Sequence, residues 1–322
     1  MKALTILFLL AAFALTGRAQ FSMTGMVRDA ETYASIENAS VYLNETTIGV
    51  AASVGGKFEL TNIPAGRYQL VASSVGYDTY TASVVIQSDT TGFLILMRKR
   101  RAQLDSVTVL PYLKDGWEKW GSYFVENFIG KTDNSFYCSI KNKEVLRFRY
   151  SEKNSVLHVS ADEPLVIENK ALGYTIQYNL KRFTAAFSQE TVLFAGTAFF
   201  EEMRSESVSR MDKWKKRREE AYRGSLMHFM RAAYADTLSK AGFSVTLIKR
   251  IPGKRDSIWS HLPQASSSGF VSGSGYAGGK IFEPDGRLQI RYNRRESGSR
   301  CSTGSRWRST GEAASMCLMR CC

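Results

Sequence analysis

The stretch over residues 57–73, KFELTNIPAGRYQLVAS, decides how the first part of the chain folds. Apolar and polar residues alternate on both sides of Pro64-Ala65-Gly66, and this period of two is typical of strands that bury one face. Proline fixes φ, and glycine allows backbone angles that other residues disfavour, so the interruption predicts a tight reversal. The stretch therefore predicts two β-strands joined by a turn.

The same pattern of short alternating runs, broken by Gly, Asn and Pro, extends over residues 21–98. Breaks at intervals of about 8–12 residues are typical of a β-sandwich, and helical periodicity is absent. The pattern predicts a seven-stranded antiparallel β-sandwich. Its strands are expected at residues 22–28, 39–43, 48–51, 57–60, 66–73, 79–86 and 91–97.

Five short motifs follow one another within these residues. They are Gly25-x-Val27-x-Asp29, Ala39-Ser40-Val41-x-Leu43, Gly56-x-Phe58-x-Leu60, Ile63-Pro64-x-Gly66-x-Tyr68-x-Leu70 and Gly76-Tyr77. Their order and spacing resemble the carboxypeptidase regulatory-like (transthyretin-like) domain of exported proteins from Gram-negative bacteria. One departure is Ala52-Ser53-Val54, which stands where that family usually carries Thr-Asp before the turn glycine. The departure predicts a looser turn.

The resemblance implies an accessory sandwich without catalytic residues, in which the motif has a structural role. The motif residues concerned are Gly25, Asp29, Gly56, Phe58, Pro64, Gly66, Tyr68, Gly76 and Tyr77. The glycines are expected in turns, and Phe58 and Tyr68 are expected to pack. We expect Asp29 to accept hydrogen bonds from the turn that follows the first strand.

Residues 104–292 show a different pattern. A helix is predicted over residues 115–129, followed by an antiparallel sheet, a second helix within residues 201–240 and a strand at 243–248. The strands of the sheet are expected at residues 144–150, 155–161, 165–169, 174–183 and 187–200. The chain is therefore predicted to be mainly β with an α+β second part, in which an antiparallel sheet packs with two helices.

An aromatic stripe marks the first of these helices. Trp117, Trp120 and Phe124 recur at helical spacing, which places them on one face. Such a stripe is usually core, and otherwise it forms a platform on which a ligand stacks. These three residues are the candidate contacts for a ligand or a partner. The motif Gly116-Trp117-x-x-Trp120-Gly121 also resembles the segment that follows the regulatory-like module in exported proteins of unassigned function.

The first nineteen residues have the features of an export signal. Lys2 precedes an apolar run, and the small residues Gly17 and Ala19 predict cleavage after Ala19. The run is shorter than the roughly 20 residues of a transmembrane helix, and no later run is long enough for one. The mature chain is therefore expected in the periplasm or at the periphery of the outer membrane.

The last thirty residues, 293–322, have a different composition. Arg and Ser replace the apolar runs there, and the segment holds four of the five cysteines. We expect this tail to be disordered. One hypothesis is that a frameshift or gene-model error replaced the true C-terminus from about Asn293, and a genuine cysteine-bearing tail is the alternative.

The two ends contribute disproportionately to the formal charge of +13. Lys2 and Arg18 contribute +2 and residues 293–322 contribute +4, which leaves +7 for the body. A charge of this size spread over the body favours solubility and argues against a nucleic-acid partner. Cys138, the one cysteine of the body, is expected to be a packed thiol because no neighbouring histidine could activate it as a nucleophile.

Catalytic motifs are weak in this sequence. The histidines His158, His228 and His261 form no His-Glu-x-x-His or His-x-x-Glu arrangement, so a zinc site of about three ligands is not predicted. No Gly-x-Ser-x-Gly elbow or complete phosphate-binding loop occurs. We therefore expect neither an enzyme nor a cofactor.

These observations favour an exported, non-enzymatic binding or scaffolding protein of the cell envelope. Its partner is expected to be another envelope protein, approached through a sandwich edge, or a glycan or peptide on the Trp117/Trp120 face. The alternative is the soluble N-terminal part of an outer-membrane transport or assembly component, similar to a TonB-dependent receptor. A metallocarboxypeptidase is the least favoured hypothesis.

Overall fold

The computed structural model describes residues 20–100, 110–250, 259–264, 266–273, 280–284 and 287–292. The predicted signal peptide, the start of the second region at 104–109 and the tail at 293–322 lie outside them. Two compact units contain the described residues. The first comprises Met1–Trp120, Ser139–Glu168 and Tyr174–Met203, and the second comprises Gly121–Cys138, Asn169–Gly173 and Arg204–Cys322. The domain boundaries drawn from the sequence stay predictions.

Seven strands form a two-sheet sandwich in the first unit, which confirms the predicted fold class. The strands are β1 (Gln20–Asp29), β2 (Ser40–Leu43), β3 (Gly49–Ala51), β4 (Lys57–Pro64), β5 (Gly66–Ser73), β6 (Tyr80–Ile86) and β7 (Thr90–Met97). One sheet has the order β4-β1-β7, and the other has the order β3-β2-β5-β6. The side chains between them form the core predicted by the alternation, because inward residues such as Val27, Phe58 and Leu70 are buried.

One strand pair differs from the all-antiparallel expectation. β1 and β7 run parallel, with Val27 opposite Ile95. Parallel neighbours need a long connection, and here the five intervening strands supply it. Alternation shows which residues face the core but not the direction of the adjacent strand, so the sequence pattern could not reveal this pairing.

In addition to the two sheets of the sandwich, a six-stranded sheet (the second sheet) follows helix α1 (Gly116–Phe128). The strands are β8 (Cys138–Ile140), β9 (Leu146–Ser151), β10 (Val156–Ala161), β11 (Leu165–Asn169), β12 (Tyr174–Ala186) and β13 (Thr191–Glu202). β13 pairs antiparallel with β12 along its whole length, and β10 pairs antiparallel with both β9 and the end of β12. This sheet and the sandwich together make up most of the first unit.

Two helices lie within residues 201–240, where the sequence pattern predicted one. Strand β13 continues to Glu202, and the helices are α2 (Val208–Tyr222) and α3 (Leu226–Tyr234). Gly224 separates them with a positive φ of 82°, and the Ser225 hydroxyl accepts a hydrogen bond from the His228 amide to cap α3. The described part of residues 104–292 therefore has three α-helices instead of the predicted two. Periodicity alone could not locate this break, because the apolar residues continue across it.

The remaining strands also belong to the second unit. They are β14 (Phe243–Arg250), β15 (Trp259–Gln264), β16 (Val271–Gly273), β17 (Lys280–Phe282) and β18 (Arg287–Tyr292). β14 lies between β15 and β18 in a three-stranded sheet, and β16 pairs with β17. Buried residues of α3 and β14, including Phe229 and Phe243, form a small separate core.

Candidate functional site

Asp29 closes the turn after β1, as the motif predicts. Its Oδ1 atom accepts hydrogen bonds from the amides of Glu31 and Thr32, both at 2.9 Å. Its Oδ2 atom accepts one from the Tyr77 hydroxyl at 3.0 Å. The two backbone amides are the main reason why the pKa of Asp29 falls from 3.8 to about 2. These contacts join two parts of the motif, so Asp29 and Tyr77 have a structural role.

The turn before Phe58 is held by backbone hydrogen bonds, and the expectation that it is looser than in the family stays a prediction. The Ser53 amide donates to the Lys57 carbonyl at 2.7 Å, and the Gly56 amide donates to the Ser53 carbonyl at 2.9 Å. Gly56 has a positive φ of 72°, and a Cβ atom there would lie 2.4 Å from the Val27 carbonyl oxygen. Glycine is therefore required at this position for both space and backbone angle.

The tryptophans of α1 pack against the second sheet. The Trp117 ring meets Phe148 edge to face at 6.4 Å, and the Trp120 ring lies 5.1 Å from Tyr150 and 5.3 Å from Phe187. Both indoles are half-buried. These contacts agree with the core interpretation of the stripe.

Phe124 is fully buried at 0 % exposure, so it cannot touch a ligand in this conformation. The candidate contact at this residue is therefore corrected to a core position. The Lys143 ammonium lies 5.5 Å from the Trp117 ring centroid, and the Lys119 ammonium lies 5.8 Å from that of Trp120. Ligand contact by the two half-buried tryptophans stays a prediction.

A polar network joins the sandwich to the second sheet within the first unit. The Tyr42 hydroxyl on β2 lies 2.9 Å from the Thr197 hydroxyl and accepts a 2.7 Å hydrogen bond from the Asn179 amide group. The Ser73 hydroxyl on β5 donates to Asn179 Oδ1 at 3.1 Å. Burial raises the pKa of Tyr42, so the phenol stays protonated in this network.

An apolar contact lies beside this network. Phe199 of β13 lies 5.2 Å from the Tyr42 ring, and together with Val71 of β5 they form a buried cluster. A Cβ atom on Gly49 would lie 2.5 Å from the Phe199 ring, so glycine permits the close approach of β3. Strands β12 and β13 therefore cover the outer face of the β3-β2-β5-β6 sheet around Tyr42 and Val71.

Sequence reasoning missed this junction, although a signal was present. Three successive residues of β2 are buried, Val41, Tyr42 and Leu43, and the same holds for residues 70–72 of β5. A strand buried on only one face would alternate, whereas a continuous apolar run is typical of a strand covered on both faces. The runs VYL and LVA thus carry the information that this sheet has a second neighbour.

The other sheet of the sandwich carries a groove of about 820 Å³. Strands β1, β4 and β7 line it, and β3 contributes residues to its border. Three apolar side chains of the lining are exposed: Met26 at 36 %, Val50 at 39 % and Leu94 at 47 %. The polar side chains Lys57 and Glu59 complete the lining with one charge of each sign. The groove offers an apolar, nearly neutral surface.

The residues considered for catalysis lie on separate elements of the fold. His158 lies on β10 in the first unit, His228 lies on α3 in the second, and the side chain of His261 is outside the description. Within the described residues, no three His, Cys, Asp or Glu side chains are close enough to hold a metal ion. Cys138 is half-buried, and burial raises the pKa of its thiol to about 11, which disfavours the thiolate needed by a nucleophile.

The described helices include none that is long and apolar enough to cross a membrane.

Comparison with known proteins identifies the sandwich. Residues 23–109 match the CarboxypepD_reg-like domain. No curated protein matches the chain.

Several solved structures are similar to parts of the chain. A type II cohesin–X-dockerin complex of Acetivibrio cellulolyticus is 20 % identical over 24 % of this chain, with a TM-score of 0.22. This chain spans about half, 56 %, of that protein. The 5-hydroxyisourate hydrolase of Klebsiella pneumoniae is 19 % identical over 25 % of this chain and 92 % of its own, with a TM-score of 0.21. A putative membrane-associated protein of unknown function from Bacteroides fragilis is 15 % identical, covering 50 % of this chain and 65 % of its own, with a TM-score of 0.21.

Proposed function

We propose that this chain, whose residues 23–109 are a carboxypeptidase regulatory-like domain, is a non-enzymatic binding or scaffolding protein of the cell envelope. The observation that carries the proposal is the asymmetry of the sandwich. One of its sheets is joined to β12 and β13 through Tyr42 and Phe199. The opposite sheet presents an apolar groove. The domain is thus attached on one side and open to a partner on the other.

The groove fits a protein partner. Single exposed apolar residues are normal on protein surfaces, but several around one concave surface mark an interaction site. Met26 and Leu94 lie on neighbouring strands, because Met26 is opposite Leu94 in the β1/β7 pairing. Lys57 and Glu59 add polar groups at the border. A protein bound in the groove would bury Met26 and Leu94 at the centre of the interface and contact Lys57 and Glu59 at its rim. An apolar centre with a polar rim is typical of protein–protein interfaces.

The envelope location rests on residues 1–19, whose charged start, apolar run and small residues before the cleavage point are typical of a secretory signal. Cell fractionation of the full chain tests this part of the proposal. Recovery of the processed protein with the envelope fractions is expected. Recovery of the unprocessed protein in the cytosol would overturn the location.

A photo-crosslinking residue at position 94 tests the groove, and the same residue at Val85 is the matched control. Val85 is 54 % exposed but lies on β6, a strand that contributes no residue to the groove. An envelope protein should be crosslinked from position 94 and not from position 85. That protein is then purified and its affinity for the full chain is measured directly.

In the purified system, Leu94→Asp should weaken binding by about tenfold or more, because it places a charge in an apolar contact. Val85→Asp should change the affinity by less than about twofold. Equal crosslinking from both positions, or an unchanged affinity for Leu94→Asp, would remove the groove from the proposal. A zinc-dependent peptidase activity that is lost in His158→Gln would overturn the non-enzymatic assignment.

A further inference from the structure

Cross-strand pairing sets a row of side chains on one face of the second sheet. Arg149 of β9 is opposite His158 of β10, and His158 is opposite Thr184 of β12. Thr184 is in turn opposite Leu193 of β13. Directly opposed residues share a face. Because side chains alternate along β9, this face is opposite to that of Phe148, which contacts Trp117 of α1.

Arg149 is the unusual member of the row. Its guanidinium lies 4.2 Å from the ring centroid of Tyr112. The Nε atom of Arg149 is buried and has no hydrogen-bond partner among the described residues. Arg147, two residues earlier on the same face, instead pairs with the Asp162 carboxylate at 2.6 Å. Among the described residues no carboxylate pairs with Arg149. A half-buried cation without a counter-charge is costly, so Arg149 can pair with an anion.

The neighbours of Arg149 offer hydrogen bonds without adding charge. The Thr184 hydroxyl lies 3.4 Å from His158 Nδ1. Burial and the nearby Arg149 charge lower the pKa of His158, so the imidazole is neutral at neutral pH. At the two ends of the row, Tyr112 is 48 % exposed and Leu193 is 51 % exposed. The row therefore combines one cation, two neutral polar groups and two apolar surfaces.

We propose that this row binds the carboxylate of an acidic sugar within a glycan. Arg149 pairs with the carboxylate, His158 and Thr184 bind sugar hydroxyls, and the exposed edge of Tyr112 contacts the sugar ring. A peptide strand is a poorer occupant, because the row lies on a sheet face and not on an edge where backbone groups could pair. The site is separate from the sandwich groove and does not depend on the proposed function.

Calorimetric titration of the full chain tests the site with four probes. They are an oligosaccharide containing glucuronate, a neutral glucose oligosaccharide of the same length, tetraglutamate and inorganic phosphate. The glucuronate probe should bind at least about tenfold more tightly than the neutral one, because only its carboxylate can form a charged hydrogen-bonded pair with Arg149. In NMR spectra the imidazole signals of His158 should shift on titration, while those of His228 in the second unit stay in place.

Variants on the row locate the contact. Arg149→Gln should weaken glucuronate binding by about tenfold, whereas Arg147→Gln should change it by less than about twofold, because Arg147 is already paired with Asp162. Thr184→Val keeps the side-chain shape, and it should weaken binding by about threefold or more even if Arg149→Gln does not fold. Circular dichroism shows whether each variant folds.

Three results would overturn the inference. Equal binding of the neutral oligosaccharide would remove the role of the carboxylate. Tetraglutamate or phosphate binding as tightly as glucuronate would show that the row does not select a sugar. Unchanged affinity in both Arg149→Gln and Thr184→Val, with both variants folded, would place any glycan site elsewhere.

Discussion

Asp29 shows how a short motif acts at the scale of one residue. The side chain is only 2 % exposed, yet its carboxylate remains charged because two backbone amides and the Tyr77 hydroxyl donate to it. Lys99 lies 4.0 Å away, at the limit of an ion pair. The sequence could predict the contact with the turn because the aspartate directly follows the first strand. The contact with Tyr77 could not be predicted from spacing, because 48 residues separate the two.

Acid should therefore weaken the fold through Asp29. Its folded pKa of about 2 lies below the ordinary 3.8, so its contribution is fully present above about pH 4 and is lost as the pH falls towards 2. Asp29→Asn keeps an acceptor for the two amides but removes the charge. The melting temperature of the wild type should exceed that of Asp29→Asn at pH 6, and the difference should shrink between pH 4 and pH 2.

Thermal melts of both proteins at a series of pH values measure this difference. Tyr77→Phe serves as the control, because it removes one hydrogen bond and leaves the carboxylate and its backbone donors in place. Its melting temperature should therefore lie between those of the other two at pH 6. A constant difference between wild type and Asp29→Asn across the whole range would exclude a lowered pKa as the cause.

Helix α2 illustrates what holds a single element in place. None of its fifteen residues is buried. The Trp214 indole donates to the Lys170 carbonyl at 3.0 Å, and the Arg218 guanidinium donates to the carbonyls of Leu172 and Gly173 at 2.7 and 2.8 Å. An isolated helix of this length is marginal in water, so these contacts decide whether it forms.

Part of this arrangement was predictable and part was not. The charged run over residues 213–220 predicts a helix with a solvated face. Helix α2 has this character, because none of its residues is buried. The loop that receives Trp214 could not be inferred from periodicity, because it depends on the positive φ of 67° at Gly173. A Cβ atom there would lie 2.2 Å from the Trp214 ring, so the glycine allows both the turn and the close contact.

Trp214→Ala should release α2 before the rest of the protein unfolds. The loss of the indole removes the hydrogen bond to Lys170 and the contact with Gly173. Hydrogen exchange of the amides in Val208–Tyr222 should accelerate by about tenfold or more, while that of β5 stays unchanged. Lys215→Ala, on the exposed neighbour, is the matched control and should leave both rates within about twofold. Equal acceleration in the two variants would mean that Trp214 does not hold the helix.

Within the first unit, the sandwich and β12–β13 form a continuous structure. Alternation predicted both groups of strands, and the observed bounds of β5, β11 and β6 lie within one residue of the expected ones. By contrast, β4 ends four residues later than expected, and β13 begins four residues later. The contact between the sandwich and β12–β13 depends on which outer faces of the two sheets meet. The residues that make this contact include Tyr42, Asn179 and Phe199. These residues lie far apart in the chain, so no local pattern connects them. The local signal is instead the continuous burial of residues 41–43 of β2 and 70–72 of β5.

Phe199→Ala tests whether this junction stabilises the unit. The side chain is 9 % exposed and packs on Tyr42 and Val71, so its truncation should lower the free energy of unfolding by about 3–5 kcal/mol. Leu193→Ala, an exposed position on the same strand, is the control and should cost less than about 1 kcal/mol. Urea unfolding gives the free energies, and hydrogen exchange compares amides of β5 with those of β13. If the junction couples the two sheets, β5 and β13 open together in the wild type and separately in Phe199→Ala. A loss similar to that of the control, with the two strands still opening together, would show that the polar network around Asn179 holds the sheets without the aromatic contact.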